Sequence, residues 1–143
     1  MENKARAQQR VARLAAADRF ARSMGVSLVD GGPGHATVAM TVREQHLNFN
    51  GTCHGGAIFA LADAAFGLAS NSHGLLAAGI DAHITYQAAA EPGEVLTASA
   101  TEVSRSRKLA VYRIDVARAD GNVISSFTGT VYVTNRHHDH GPE

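Results

Sequence analysis

The sequence predicts an α+β domain in which a strongly curved antiparallel sheet of about six strands wraps one central helix, with a further helix at the N-terminus. Three observations carry this expectation. The stretch from about His54 to Asn71 has a helical composition but is apolar nearly all round, where a helix lying on a sheet would keep a polar side, so it has to be enclosed. From Leu75 onward the pattern changes to extended segments rich in β-branched and aromatic residues. The gaps between those segments are too short to hold a parallel crossover, so the strands connect antiparallel.

Residues 1–23, MENKARAQQRVARLAAADRFARS, are rich in good helix formers, and Val11, Leu14, Ala15, Asp18 and Phe20 form a partial stripe along them. Gly25 ends this helix. The segment Val26 to Val29, the turn Asp30-Gly31-Gly32-Pro33-Gly34 and the segment His35 to Val42, with Ala36, Val38, Met40 and Val42 alternating, read as a hairpin. A loop over residues 43–52 leads into the central helix, whose end is marked by Ser72-His73-Gly74. Four strands follow over residues 78–87, 95–104, 109–118 and 123–134, separated by Glu91-Pro92-Gly93, Arg105-Ser106-Arg107-Lys108 and Asp120-Gly121-Asn122. Residues 135–143 read as a polar tail. The expected organisation is one domain over residues 1–143, since 143 residues bury one sizeable core and not two.

Acidic and basic residues balance at 13 each, which removes the global field that would draw a chain to nucleic acid or an anionic membrane. The longest uncharged runs are interrupted by Asp63 and carry Asn48, Asn50, His54, Ser70 and Asn71, so none reads as membrane-spanning. A single cysteine forms no internal disulfide, and the N-terminus lacks the pattern of a secretory leader; a reducing cytoplasm is the expected location.

Asp63 is the outlier. A carboxylate inside an apolar helix costs several kcal/mol unless it is paired, hydrogen-bonded, wet or protonated. Its neighbours on the helix surface, Phe59, Ala60, Phe66 and Gly67, offer no partner. It is either contacting amides or a solvated subunit seam, or serving as a base or nucleophile on the wall of an apolar cleft. His54-Gly55-Gly56 stands at the start of the same helix, where unpaired amide hydrogens and the helix dipole favour an anion or a developing oxyanion, and glycine allows close approach. Nine residues separate His54 from Asp63, about 13 Å of rise and about half a turn of phase, so the two face opposite sides of one helix. Two such helices running antiparallel across a two-fold axis would bring the start of one opposite the middle of the other, which predicts an obligate dimer with two composite sites.

The stretch Asn48-x5-His54-Gly55-Gly56-x6-Asp63, within GTCHGGAIFALADAAFGLASNS, together with EVSRSRKLAVYRIDV and the Asp120-Gly121 turn, closely resembles the PaaI-type hotdog-fold acyl-CoA thioesterases of phenylacetate degradation. The likeness covers roughly residues 20–134. It implies that the Gly55 amide polarises the thioester carbonyl, that Asp63 of the partner subunit is general base or nucleophile, and that His54 and Asn48 shape the site. A related aryl-CoA branch has a hydroxyl residue four positions after the acid; here that place is Gly67. The implied substrate is an aryl- or arylacetyl-CoA, with medium-chain acyl-CoA as the alternative, bound with help from Gly56 and from the cluster Arg105, Arg107 and Lys108 on the phosphates. A carboxylate opposite a helix start supplies nucleophile activation and oxyanion stabilisation together, so neither metal nor other cofactor is expected. The expected assembly is a homodimer at least, and a homotetramer as a dimer of dimers. Two other readings share the fold: a hydroxyacyl thioester dehydratase, and a non-catalytic acyl-CoA sensor.

Other residues that invite a role are assigned structural ones. Cys53 adjoins His54, but sequence neighbours seldom have the geometry for proton transfer. His137, His138 and His140 fall in the tail, and His35, His46, His73 and His83 show no ligand spacing.

Overall fold

The structure, a computed structural model, describes residues 3–139. Two helices open the chain, α1 (Lys4–Ala17) and α2 (Arg19–Ser23), followed by strands β1 (Ser27–Gly32) and β2 (His35–Thr41). A single 3-10 turn (Glu44–His46) precedes α3 (Gly55–Ser70), and β3 (Leu75–Tyr86), β4 (Val95–Arg105), β5 (Leu109–Ala117) and β6 (Val123–His137) complete the chain. The six strands form one antiparallel sheet in the order β1-β2-β4-β5-β6-β3. No helix among the described residues is long and apolar enough to cross a membrane.

Two expectations about the ends need correction. The N-terminal helix is not continuous over residues 1–23: Asp18 leaves the helical conformation and its carboxylate accepts from the Ala21 N–H at 3.0 Å, capping α2. Aspartate is a weak helix former and a strong cap, so a break is favoured where it sits. The polar tail also starts later than expected. Residues 135–137 extend β6, and Asp139 takes a bidentate contact from Arg10 at 2.6 and 3.2 Å and one from Arg13 at 2.9 Å. His138 bonds the Asn71 side chain at 2.6 Å, and His140 lies outside the described residues.

The strand pattern explains the curvature. Alternate residues of β2, β4 and β5 point to one face and are buried there, among them Val38, Met40, Leu96, Ala98, Tyr112, Ile114 and Val116. Register shifts at Leu28/Asp30, Gly79/Asp81 and Glu102/Ser104 insert an extra residue and bend the strands, wrapping that face around α3. The β1–β2 reversal uses Pro33-Gly34, with Gly34 at φ +76°, the backbone a type II turn demands at its third position.

Helix α3 buries Ala57, Ile58, Leu61, Ala62, Ala65, Phe66, Leu68 and Ala69, recurring every three or four residues on one side. Phe66 is lodged against the sheet backbone. A methyl group built on Gly129 would stand 2.7–2.9 Å from its ring, and one on Gly79 would stand 3.1 Å away. The ring also meets Tyr112 and Phe127 at centroid distances of 6.1 and 5.5 Å. The two glycines are therefore a notch that admits the helix.

A polar belt ties the far end of α3 to the sheet. Asn71 caps the helix, accepting from Ala77 N–H at 2.8 Å and donating to the carbonyls of Gly67 and Ala77. Glu102 Oε1 accepts from the buried Tyr112 hydroxyl at 2.6 Å and faces His73 Nε2 at 2.8 Å. These bonds hold the Glu102 carboxyl below its usual value against the opposing effect of burial, and burial followed by the Glu102 contact pushes the Tyr112 phenol up.

Substituting Gly129→Ala should lower the unfolding free energy by about 1–3 kcal/mol, because the Phe66 ring has no room to yield; a denaturant titration showing no loss would refute the notch. Asp139→Asn should cost about 1.5–3 kcal/mol at pH 7 by leaving Arg10 buried with a weakened partner. The contacts from Arg10 and Arg13 hold the Asp139 carboxyl well below its ordinary value, so this contribution is present above about pH 4 and fades as the pH falls toward the folded-state value. The gap between wild type and variant should narrow in acid, and a gap independent of pH would rule the ion pair out as its source.

Candidate active site

The side of α3 turned away from the sheet decides where chemistry can occur. Gly56 and Asp63 are exposed on it, and Phe59, Ala60, Ala64 and Gly67 are half-buried. The expectation that the helix is enclosed all round is not met within one chain. Instead this side floors a groove of about 690 Å³, walled by Leu14, Asp18 and Phe20 from the N-terminal helices and by Leu76 and Ala77 from β3. Asp63 makes no hydrogen bond or ion pair among the described residues, and its carboxyl is exposed at the groove surface while apolar walls strip part of its water. That desolvation, and then the nearby charge of Asp18, hold it above its ordinary value.

The start of α3 is built around His54. Its Nδ1 accepts from Gly56 N–H at 2.7 Å, and its carbonyl takes Ala57 N–H at 2.9 Å and Ile58 N–H at 3.2 Å. A neutral imidazole accepting at Nδ1 carries its proton on Nε2, which is thus a donor. Of the first-turn amides, only Gly55 N–H is left without an acceptor among the described residues. The Gly55 carbonyl accepts from the Tyr86 hydroxyl at 3.1 Å, which fastens the helix start to the end of β3.

The two halves of the expected site stay apart in a single chain, in agreement with the phase argument. Asp63 lines the large groove, while Gly55 lines a separate depression with Thr52, Cys53 and Tyr86, and His54 a third with Met24, His46 and Leu47. Asn48 faces none of these. Its Oδ1 accepts from Asn50 N–H at 2.9 Å and Thr52 N–H at 3.2 Å, and its Nδ2 donates to Thr52 Oγ1 at 3.1 Å, so it organises the loop that delivers His54. Gly56 spends its N–H on the His54 cap and meets the groove with its bare Cα.

The basic cluster divides. Arg107 and Lys108 are exposed on the β4–β5 turn, with Lys108 Nζ 3.3 Å from the Tyr132 hydroxyl and over its ring at 5.5 Å. Arg105 turns inward, its charge facing Glu102 and Tyr112, and its buried Nη1 has no hydrogen-bond partner among the described residues. Cys53 is buried, and burial pushes its thiol up to about 11, consistent with a structural role.

Sequence reasoning missed that the N-terminal segment walls the groove, Asp18 and Phe20 included. The available signal was Asp18 itself, a helix-capping residue standing before Arg19-Phe20-Ala21, which marks a break and a change of direction.

With this geometry described, comparison with known proteins is informative. The sequence profile of the Thioesterase superfamily matches residues 50–125, which includes the whole of α3. A putative esterase of Archaeoglobus fulgidus is 44% identical over 118 residues, 82% of this chain and 77% of that one. The acyl-coenzyme A thioesterase PaaI of Escherichia coli is 35% identical over 112 residues, 78% of this chain and 80% of its own. The solved structure of the E. coli PaaI protein superposes with a TM-score of 0.92 at 30% identity, covering 95% of this chain and 99% of that chain. The wrapped central helix is a hotdog fold, and the chain belongs to the thioesterase superfamily as a PaaI-type acyl-CoA thioesterase.

Proposed function

We propose that this thioesterase hydrolyses aryl- or arylacetyl-CoA to the free acid and coenzyme A, at sites shared between two copies of the chain. The observation that carries the mechanism is the pairing of one free amide, Gly55 N–H at the start of α3, with one unpaired carboxylate, Asp63, on the open side of the same helix. Across a two-fold axis, Asp63 of one chain takes a proton from water as the oxygen attacks the thioester carbonyl and returns it to the departing thiolate, or attacks the carbonyl directly to give an aspartyl anhydride that water then hydrolyses to the free acid. Gly55 N–H and the positive end of α3 stabilise the oxyanion. The C–S bond then breaks and coenzyme A leaves. His54 sets the helix start through its cap and presents Nε2–H beside it, and Asn48 holds the preceding loop. These groups complete the reaction without a metal or other cofactor.

The dimer reading is supported by the sheet edge. Strand β3 ends the sheet, with residues 78–83 and Tyr86 exposed along it, and an unpaired edge of this length is a template for a second strand. We assign the homodimer to this seam and propose that dimers pair further into a homotetramer. Arg107 and Lys108, open to solvent on their turn, are proposed to contact the phosphates of coenzyme A, with Arg105 supporting the base of that turn and Gly56 permitting close approach of the substrate. The aryl preference rests on the name and operon of the E. coli relative together with the apolar groove, and the proposed location is the cytoplasm.

Release of free thiol from phenylacetyl-CoA, 4-hydroxyphenylacetyl-CoA, benzoyl-CoA and octanoyl-CoA tests the reading. Asp63→Asn should lose at least about 100-fold in kcat with mass and circular dichroism unchanged; a variant as active as wild type would sink the assignment. Because the base works as a carboxylate and its value is raised above 3.8, wild-type kcat/KM should fall with acid at a higher pH than an ordinary aspartate dictates. A profile flat down to about pH 4 would contradict it. Mixed dimers of Asp63→Asn and His54→Ala chains contain one intact composite site, so each verified heterodimer should regain about half of the wild-type activity. Heterodimers as inactive as either parent would exclude the shared site.

A further inference from the structure

We infer that Phe20 is a specificity-determining residue, forming the outer wall against which the acyl group packs; this rests on the thioesterase site just proposed. Phe20 is 67% exposed, although it is carried on a well-anchored segment. Asp18 caps α2 through Ala21 N–H, Ala21 is buried, the Ser23 hydroxyl donates to the Phe20 carbonyl at 2.6 Å, and the buried His46 binds the Met24 carbonyl at 2.8 Å. The backbone under the ring is therefore fixed. The other phenylalanines that line or back the groove are engaged in ring contacts, Phe59 with Phe127 at 5.3 Å and Phe66 with Tyr112 and Phe127, whereas Phe20 has no ring partner among the described residues.

Position gives the ring its role. Phe20 and Gly56 are the two residues common to the Asp63 groove and the adjoining depression of about 260 Å³ that contains His54. The ring thus stands between the Asp63 groove and the His54 depression and divides the space an acyl chain can enter. Among the described residues the groove lining includes Leu14, Phe20, Phe59, Ala64 and Leu68 but no lysine or arginine, so it suits an apolar acyl group and not the phosphates of coenzyme A. With Phe20 in place the groove admits a flat or short acyl group. Without the ring the two spaces join, and a longer chain fits.

The test measures kcat and KM for acetyl-, phenylacetyl- and lauroyl-CoA with the full-length chain as wild type, Phe20→Ala and Phe20→Trp, alongside mass by light scattering. Phe20→Ala should shift the ratio of kcat/KM for lauroyl- over phenylacetyl-CoA upward by about 10-fold or more, and Phe20→Trp should shift it downward. Acetyl-CoA, the shortest of the three, should change least. An unchanged ratio in both variants would overturn the inference. So would a uniform fall across the three substrates accompanied by a smaller mass, which would make the ring a subunit contact. If the wild type cleaves no acyl-CoA, the proposed function fails first and this inference falls with it, an outcome separable from an active wild type with an indifferent Phe20.

Discussion

The seating of Phe66 against the glycine notch of Gly79 and Gly129 is the contact on which the rest of this molecule depends. It fixes both the depth and the rotation of α3, because the ring meets backbone on one side and Tyr112 and Phe127 on the others. Rotation is the consequential quantity. With Phe66 and Leu61 turned to the sheet, Asp63 can only face outward, and the helix start can only open beside Tyr86. The chemistry is thus oriented by packing that contains no catalytic group, a case of an apolar core acting as the reference frame for a polar site.

The fold was legible where period and length agree. Six strands and the central helix could be read within a few residues because alternation in β2, β4 and β5 is regular and the gaps are short. His54, Gly55 and Asp63 stood out for a different reason: each breaks the local rule for its position, a histidine and paired glycines opening a helix and a charge in its apolar middle. What stayed hidden depends on residues far apart in the chain. Arg10 meets Asp139 across 129 positions, and His73 meets Glu102 across 29, with no periodicity to announce either. The inward turn of Arg105 was hidden for the same reason, since a run of Arg-Ser-Arg-Lys looks like a solvated turn until Glu102 and Tyr112 are found beside it.

The N-terminal segment shows how one short-range signal acquires a long-range meaning. Asp18 behaves locally as a cap, its carboxylate accepting from Ala21 N–H. The same break swings Arg19–Ser23 across the open side of α3, placing an aromatic ring and a second negative charge in the groove of Asp63. The Arg10, Arg13 and Asp139 cluster then clamps α1 to the end of β6, so the wall is held from both termini. A feature that looks like helix punctuation therefore changes the shape and the electrostatics of a site more than forty residues away along the chain.

Cys53 gains a further significance from the reaction beside it. Every turnover of an acyl-CoA thioesterase liberates a thiol, and thiols in the presence of oxidant exchange into disulfides with any accessible thiolate. Burial weakens the acidity of Cys53, so far less of it is thiolate at neutral pH than for an ordinary cysteine. The residue is also buried, just before His54 in the chain. The protein has only one cysteine, in the same depression as the Gly55 proposed to hold the thioester, and keeps it in the form least able to be captured by the liberated thiol; burial here acts as redox insulation.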